Sequence, residues 1–385
     1  MKHRLSHLDF VRGLAALLVC LEHIRGFLLV PYAQLKSPVL IERFVYFVTG
    51  LGHQAVMVFF VLSGFLVGGS VISAHQQGRW TWSGYLLRRL TRLWVVLIPA
   101  LLLTLLWDGL GQRLWLAGYH GAFLAAYHSG PAPDAPADLR WNTLLGNVFF
   151  LQTIRVNCYG TNGPLWSLAN EFWYYLLLPL GWGIFKAGHL WRRLACALLV
   201  AALVVWLPGN ILLGGLVWLM GAGIFVLIQS ERGRRWPAHP LWLCAGGLLA
   251  LTMLGASRMG KLGATDDLLV GSGFSVLVAA LAVRPAKPGI YTATSAAASE
   301  VSYTLYLVHF PILALFFFAV CKGHQIQPGF AGAFWFLMTF VVVVLYAAGV
   351  WWCFERNTDR VRSWVQMRFQ REPVGKMLKT ETPKN

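Results

Sequence analysis

Long apolar runs recur from residue 8 to residue 354, and each is about as long as a bilayer core is thick. Because a helix needs about 20 mostly apolar residues to cross that core, the runs predict an all-α integral membrane protein with about ten transmembrane helices. The predicted helices lie at approximately 8–30, 53–73, 93–110, 165–186, 191–207, 210–229, 240–256, 267–283, 300–321 and 330–354.

No long polar interval separates two cores along the chain. Only 12% of the residues are charged, whereas an average soluble domain has roughly 25%. We therefore expect one membrane domain at 1–355, followed by a basic cytoplasmic tail at 356–385.

The positive charge of the chain is concentrated in short clusters between the apolar runs. A net charge of +17 would suit nucleic-acid binding if it formed one patch, but these clusters recur at alternate connections. Placing the N-terminus inside puts the clusters in cytoplasmic loops, as the positive-inside rule requires. We therefore expect both termini to be cytoplasmic, in a bacterial inner membrane, with membrane lipids and no nucleic acid as partners.

The longest connection, residues 111–164, falls on the exterior side in this orientation. It contains a Pro/Ala-rich patch at 130–136 and a polar end at 157–163. Its segment 141–154 is apolar enough either to re-enter the membrane or to lie on it. Long connections of this kind often carry function.

Ionisable side chains inside apolar runs are costly, so each one is a candidate functional residue. The first predicted helix carries Arg12, Glu22 and His23. His23 lies eleven positions after Arg12, which puts both within about 20° of one face and about 16 Å apart along the axis. One helix can thus hold a cytoplasmic-side cation and a base at mid-membrane depth. The structural alternative is an arginine that reaches the head groups and a histidine that bonds a neighbouring helix.

Arg89 and Arg92 share one face near the cytoplasmic end of the third predicted helix. Paired guanidinium groups suit phosphates, although an ordinary positive-inside cluster has the same pattern. Glu171 lies among aromatic residues inside the fourth predicted helix, and His309 lies near mid-membrane in the ninth. Each needs a polar partner, so a structural polar bridge is the alternative to a catalytic role.

The six cysteines show no paired metal spacing, and most lie inside apolar runs. Small buried apolar residues are the simplest interpretation, and a disulfide framework is not expected. No cluster of ligands suggests a metal ion.

The candidate residues fall in six short motifs, in order along almost the whole chain, at 8–23, 58–65, 89–92, 165–171, 302–309 and 354–357. These motifs resemble those of the type 3 integral membrane acyltransferases, a family of bacterial sugar O-acetylases. Arg12, ten further residues and His23 match the family's signature of that spacing. Asn357 is a departure, because the family usually has a proline there.

The resemblance implies transfer of an acyl group, usually acetyl, from acyl-CoA to a sugar hydroxyl of an envelope or exported glycan, or of a lipid-linked saccharide. Acyl-CoA (acetyl-CoA) would be a cosubstrate, with no bound cofactor. His23 would act as general base or transient acyl carrier, and Glu171 would orient His23 or the acceptor. The implied roles are donor binding by Arg12, Arg89 and Arg92, catalysis by His23 and Glu171, and support of the cavity by Glu22, Tyr303 and His309.

A flippase or transporter of a lipid-linked or polyanionic envelope precursor would also have many helices and intramembrane charges. The halves of the sequence show no convincing inverted repeat, which speaks against it. A glycan polymerase or ligase would place key cations in a large exterior loop, whereas the predicted exterior loop here holds few. Dependence on acetyl-CoA separates the acyltransferase from these alternatives.

Overall fold

The structure is a computed structural model that describes residues 5–120 and 137–370, and that part of the chain is helical with no β-strand. The Pro/Ala-rich patch at 130–136 and residues 371–385 of the predicted tail lie outside the described residues. The helices are α1 (Ser6–Leu28), α2 (Leu40–Val48), α3 (Gly52–Ser63), α4 (Gly69–Gln76), α5 (Trp82–Arg113), α6 (Trp141–Val148), α7 (Leu165–Lys186), α8 (Leu190–Trp206), α9 (Gly209–Leu227), α10 (Glu231–Ala238), α11 (Pro240–Arg258), α12 (Asp266–Ala282), α13 (Ile290–Val320), α14 (Phe330–Cys353) and α15 (Thr358–Gln370).

A helix lies at each of the ten segments predicted to cross the membrane. Among the described residues, six helical stretches are both long enough and apolar enough to do so. The protein is therefore a multi-pass membrane protein, while the count of ten and the orientation stay predictions. The six stretches are Leu40–Gln76, Trp82–Arg113, Gly209–Leu227, Pro240–Arg258, Ile290–Val320 and Phe330–Arg368.

The centre of the bundle is the pair α1 and α13, which run side by side in the same direction. The His7 and Tyr291 side chains are hydrogen-bonded near the start of both helices, 2.9 Å apart. Beyond their far ends, the Ile326 N–H donates to the carbonyl of Leu28 at 2.7 Å. Parallel packing brings residues at equal depth in α1 and α13 together, and this positions the candidate site.

A wide π-helical turn, Gly64–Gly68, joins α3 to α4 without a break in the helix. A Cβ atom on Gly64 would lie 1.8 Å from the carbonyl oxygen of Trp218, so the backbones of this segment and α9 are in direct contact. The indole N–H of Trp218 also donates to Ser63 Oγ at 3.1 Å. Such turns interrupt regular helical spacing and often occur at functional sites.

The described part of the long connection is tied to α5 and α13 by buried polar contacts. The Asp108 carboxylate accepts hydrogen bonds from the Thr161 backbone N–H at 2.6 Å and hydroxyl at 2.9 Å. The Asn162 amide donates to the Leu307 carbonyl at 2.9 Å. The apolar segment 141–154 forms α6 and a turn, with the Phe150 ring stacked on Phe172.

Candidate active site

Two histidines from α1 and α13 form the centre of the site. His23 Nδ1 lies 2.8 Å from His309 Nε2, and their rings are stacked with centroids 5.0 Å apart. His309 Nδ1 lies 2.8 Å from the carbonyl oxygen of Leu305, one turn earlier on α13. His309 is completely buried.

These distances assign the protons of a neutral histidine pair. A carbonyl oxygen only accepts, so His309 Nδ1 carries the proton and donates it to Leu305. His309 Nε2 is then an acceptor, and His23 Nδ1 must be the donor to it. The remaining nitrogen of His23, Nε2, is therefore the unprotonated and basic one. This is the arrangement in which a second residue orients a general base.

His23 lines a cavity of about 370 Å³, here called the histidine cavity. Glu22 also lines it, and its carboxylate accepts a hydrogen bond from the Gly52 N–H at the start of α3. A Cβ atom on Gly52 would lie 1.9 Å from Glu22 Oε2, so only glycine allows this approach. The sequence predicts Glu22 as a cavity residue, and the structure places it beside His23.

A second cavity of about 340 Å³, here called the arginine cavity, lies beside it. Arg12, Arg89 and Arg92 all line it, although they come from α1 and α5. Tyr303 lines it too and donates its hydroxyl to the Leu93 carbonyl at 3.3 Å. The three arginines that the sequence predicts for donor binding therefore face one space.

Arg89 is held by uncharged contacts, and the carboxylate partner of Arg12, Asp9, lies 4.0 Å away, so both arginines keep capacity for an anion. Arg89 donates to Ser70 Oγ at 3.1 Å and lies over the Tyr175 ring at 5.8 Å, while its buried Nε has no hydrogen-bond partner within the described residues. Arg12 donates to Ser299 Oγ at 3.3 Å, and Ser299 in turn donates to Asp9 at 2.9 Å. A guanidinium with an unused donor is suited to a phosphate oxygen.

Glu171 lines the arginine cavity, and His23 does not. The expected role of Glu171 in orienting His23 therefore has no support in the placement of the two side chains. The helical period explains the position: Ser167, Glu171 and Tyr175 recur every four residues on α7 and all face the arginine cavity. Trp166 and Asn170 precede two of them by one residue, about 100° around the helix, and face the histidine cavity.

Three residues line both cavities and so form the wall between them: Val56, Phe60 and Tyr306. The Tyr306 hydroxyl donates to the Pro164 carbonyl at 3.1 Å and lies 2.7 Å from Ser167 Oγ. A wall of three side chains leaves only a short distance between the two spaces.

Several polar residues of the site are absent from the sequence-based candidates. In the histidine cavity these are His53 and Asp267, whose side chains lie 2.7 Å apart, and the amides Asn170 and Asn210. Sequence reasoning missed His53 and Asp267 because they lie at the starts of predicted helices, where charged residues are common. It missed the two asparagines because an uncharged amide is less costly to bury than a charged group. Within residues 5–120 and 137–370, no group of three His, Cys, Asp or Glu side chains could hold a metal ion.

Glu355 is another residue to which the sequence assigns no role, although it lies in the closing motif 354–357. It is 8% exposed and accepts hydrogen bonds from the Thr304 hydroxyl at 2.5 Å and backbone N–H at 3.2 Å. Glu355 thereby connects the end of α14 to the middle of α13, close to the charge of Arg92.

Comparison with known protein families identifies the family of the chain. The sequence profile of the acyltransferase domain family matches residues 5–354. The chain belongs to the type 3 acyltransferase family. It is also 24% identical over 327 residues to acyltransferase MdmB of Streptomyces mycarofaciens, which covers 74% of this chain and 72% of that protein. No solved structure matches the chain significantly.

Proposed function

We propose that this acyltransferase moves an acyl group, acetyl in the simplest case, from acyl-CoA to a sugar hydroxyl of a cell-envelope or exported glycan. One observation carries the proposal: a cavity lined by three arginines and a cavity lined by His23, the first histidine of the pair, share a wall of three side chains. In a bacterial inner membrane, the arginine cavity would face the cytoplasm, where acyl-CoA is made.

The arginine cavity has the charge expected of a donor site. Coenzyme A carries several phosphate groups, and clustered guanidinium groups bind phosphates bidentately. Arg12 and His23 are about 16 Å apart along α1. The flexible pantetheine arm of acyl-CoA separates the phosphates from the thioester, so phosphates at the arginines allow the thioester to reach the shared wall.

The histidine cavity supplies the base. His23 Nε2 takes the proton of the acceptor hydroxyl while the hydroxyl oxygen attacks the thioester carbonyl carbon. The carbon–sulfur bond then breaks, and the coenzyme thiolate receives the proton from His23. The bond from His23 Nδ1 to His309 keeps the imidazole oriented and stabilises its transient positive charge.

The proposal is tested by transfer of radiolabelled acetyl from acetyl-CoA into envelope glycan, using membranes from cells with and without the protein. Label should depend on the protein, and His23→Ala should lower it at least about 100-fold. His324→Ala is the matched control, because His324 is exposed and lies in neither cavity. Glycan labelling that persists with His23→Ala at normal protein levels would refute the catalytic role.

The same membranes also test the flippase alternative. A flippase would move a lipid-linked saccharide without using acetyl-CoA. Saccharide translocation that requires the protein while no acetyl group is transferred would favour that function.

A further inference from the structure

The charged residues that line the histidine cavity differ from those of the arginine cavity. Its lining carboxylates are Glu22 and Asp267, and among the described residues no lysine or arginine lines it. His53 Nε2 lies 2.7 Å from Asp267 Oδ1, so these two side chains form a pair. Arg25 and Arg258 lie near enough to Glu22 to act on its charge, but neither lines the cavity. An acidic substrate entering this space would therefore meet carboxylates at the wall and no guanidinium group to pair with.

A buried acceptor without a partner belongs to a residue that lines the same space. Asn170 is 1% exposed and lines the histidine cavity, and its Oδ1 has no hydrogen-bond partner within the described residues. A buried polar atom without a partner is costly, so it marks a place where a ligand donor would be stabilised. A sugar hydroxyl is such a donor.

An aromatic surface completes the features of a carbohydrate site. The Trp166 ring lines the cavity and lies nearly parallel to the His53 ring, at 17° with centroids 6.2 Å apart. The flat apolar face of a sugar ring can pack on an indole while its hydroxyls reach polar groups. Asp267, whose side chain is 40% exposed, pairs with His53 beside this surface and offers a hydroxyl acceptor.

We propose that the histidine cavity binds an uncharged sugar and excludes acidic sugars such as uronates, with Asn170 and Asp267 as specificity-determining residues. This inference rests on the proposed function, since it presumes that a sugar hydroxyl receives the acyl group. Asn170 accepts a hydrogen bond from a hydroxyl of the bound ring, Trp166 supports the apolar face, and Asp267 repels a carboxylate.

The first experiment identifies the labelled sugar. Envelope glycan is labelled with radioactive acetyl from acetyl-CoA, digested enzymatically, and separated so that the labelled monosaccharide unit is identified. We expect label on an uncharged sugar. Label on a uronate or another acidic sugar would overturn the inference alone, whereas a glycan without protein-dependent label would overturn the proposed function and the inference with it.

The second experiment tests the named residues, with the isolated oligosaccharide that carries the acetylated sugar as acceptor. Asn170→Leu should raise the KM for this acceptor about tenfold and leave the KM for acetyl-CoA unchanged. Asn142→Leu, an exposed change on α6, should alter neither constant. An unchanged acceptor KM in Asn170→Leu would refute the role of Asn170.

Asp267→Asn keeps the test decisive if Asn170→Leu does not fold, because Asp267 is partly exposed. The variant and the wild type are compared on the oligosaccharide and on its counterpart oxidised to a uronate. The variant should lower the preference for the uncharged form about three- to tenfold. Equal preference in both proteins would contradict the assigned role of Asp267.

Discussion

The arginine cavity and the histidine cavity are similar in size, about 340 and 370 Å³, but are lined by different charged residues. Three arginines and one glutamate line the first; two carboxylates and two histidines line the second. Under the proposed function, different side chains therefore recognise the donor and the acceptor, although the two cavities share one wall. Substitutions in one cavity should therefore change one set of kinetic constants and not the other.

The largest effect should come from the second histidine of the pair. His309→Leu removes the acceptor for His23 Nδ1, so His23 loses its fixed orientation, and we expect kcat to fall about 10²- to 10³-fold. His309→Gln retains an acceptor oxygen and should keep more activity. Steady-state kinetics at equal protein levels measure both, and a variant without a histidine partner but with full kcat would disprove the orienting role.

A smaller effect is expected in the arginine cavity. Arg89→Ala should raise the KM for acetyl-CoA about 10- to 100-fold and leave the acceptor KM unchanged, because a charged contact to phosphate is lost. The adjacent Arg88 is exposed and does not line the cavity, so Arg88→Ala is the matched control. If both variants bind acetyl-CoA equally well, the cluster acts only in membrane topology.

Gly52→Ala tests how closely α3 approaches α1 beside the histidine cavity. The new methyl group would overlap Glu22 Oε2, so Glu22 or the start of α3 must move. We expect a lower thermal unfolding midpoint and an acceptor KM raised about three- to tenfold, with the acetyl-CoA KM unchanged.

Gly223→Ala provides the comparison for that variant. Gly223 also lies in a helix, but a Cβ atom there meets nothing within 4 Å, so its stability should equal or exceed that of the wild type. Equal midpoints for the two glycine variants would show that the contact between Gly52 and Glu22 is not needed.

The smallest effect concerns the described part of the long connection, which adjoins the histidine cavity at Asn210. The Arg140 side chain donates to the Asp138 carboxylate at 2.8 and 3.0 Å, and these hydrogen bonds lower the pKa of Asp138 to about 2. A carboxyl with a lowered pKa stabilises the fold fully above its unfolded pKa of about 3.9 and loses that contribution as pH falls toward about 2.

Asp138→Asn should therefore lower the thermal midpoint by a few degrees at pH 7 and reduce the further loss seen below about pH 4. Unfolding midpoints in detergent at several pH values measure this change. Acid sensitivity identical to that of the wild type would mean that other groups control the low-pH loss. The cavities themselves should keep their kinetic constants in this variant at pH 7.

Much of the fold could be predicted because bilayer thickness sets the length of an apolar helix. A helix is found at every predicted segment, and the largest difference is α5, which begins at Trp82 and not near residue 93. The predicted start followed the change from basic to apolar sequence. The arginines of 88–92 do not end the helix, because Arg88 is exposed and Arg89 and Arg92 face a cavity.

The sequence could predict how deep each site residue lies along its helix, but not the direction in which its side chain points around the helix. The positions of His23 and His309 within their predicted helices put both near the middle of the membrane, and the structure places their rings in contact. Glu171 was expected to orient either His23 or the acceptor, and it lines the arginine cavity because packing against other helices, which a single sequence does not specify, sets the rotation of α7. Asn170 was missed because a buried amide resembles an ordinary packing residue in a sequence.

The alternation of Trp166 and Asn170 with Ser167 and Glu171 on α7 has a consequence for how such enzymes diversify. Under the proposed function, point changes at the first two positions would alter acceptor choice in a lineage while the cell keeps a single metabolic source of acyl groups. A one-residue deletion in this helix would instead rotate both sets at once. Natural variation is therefore expected to favour substitutions over deletions in this stretch.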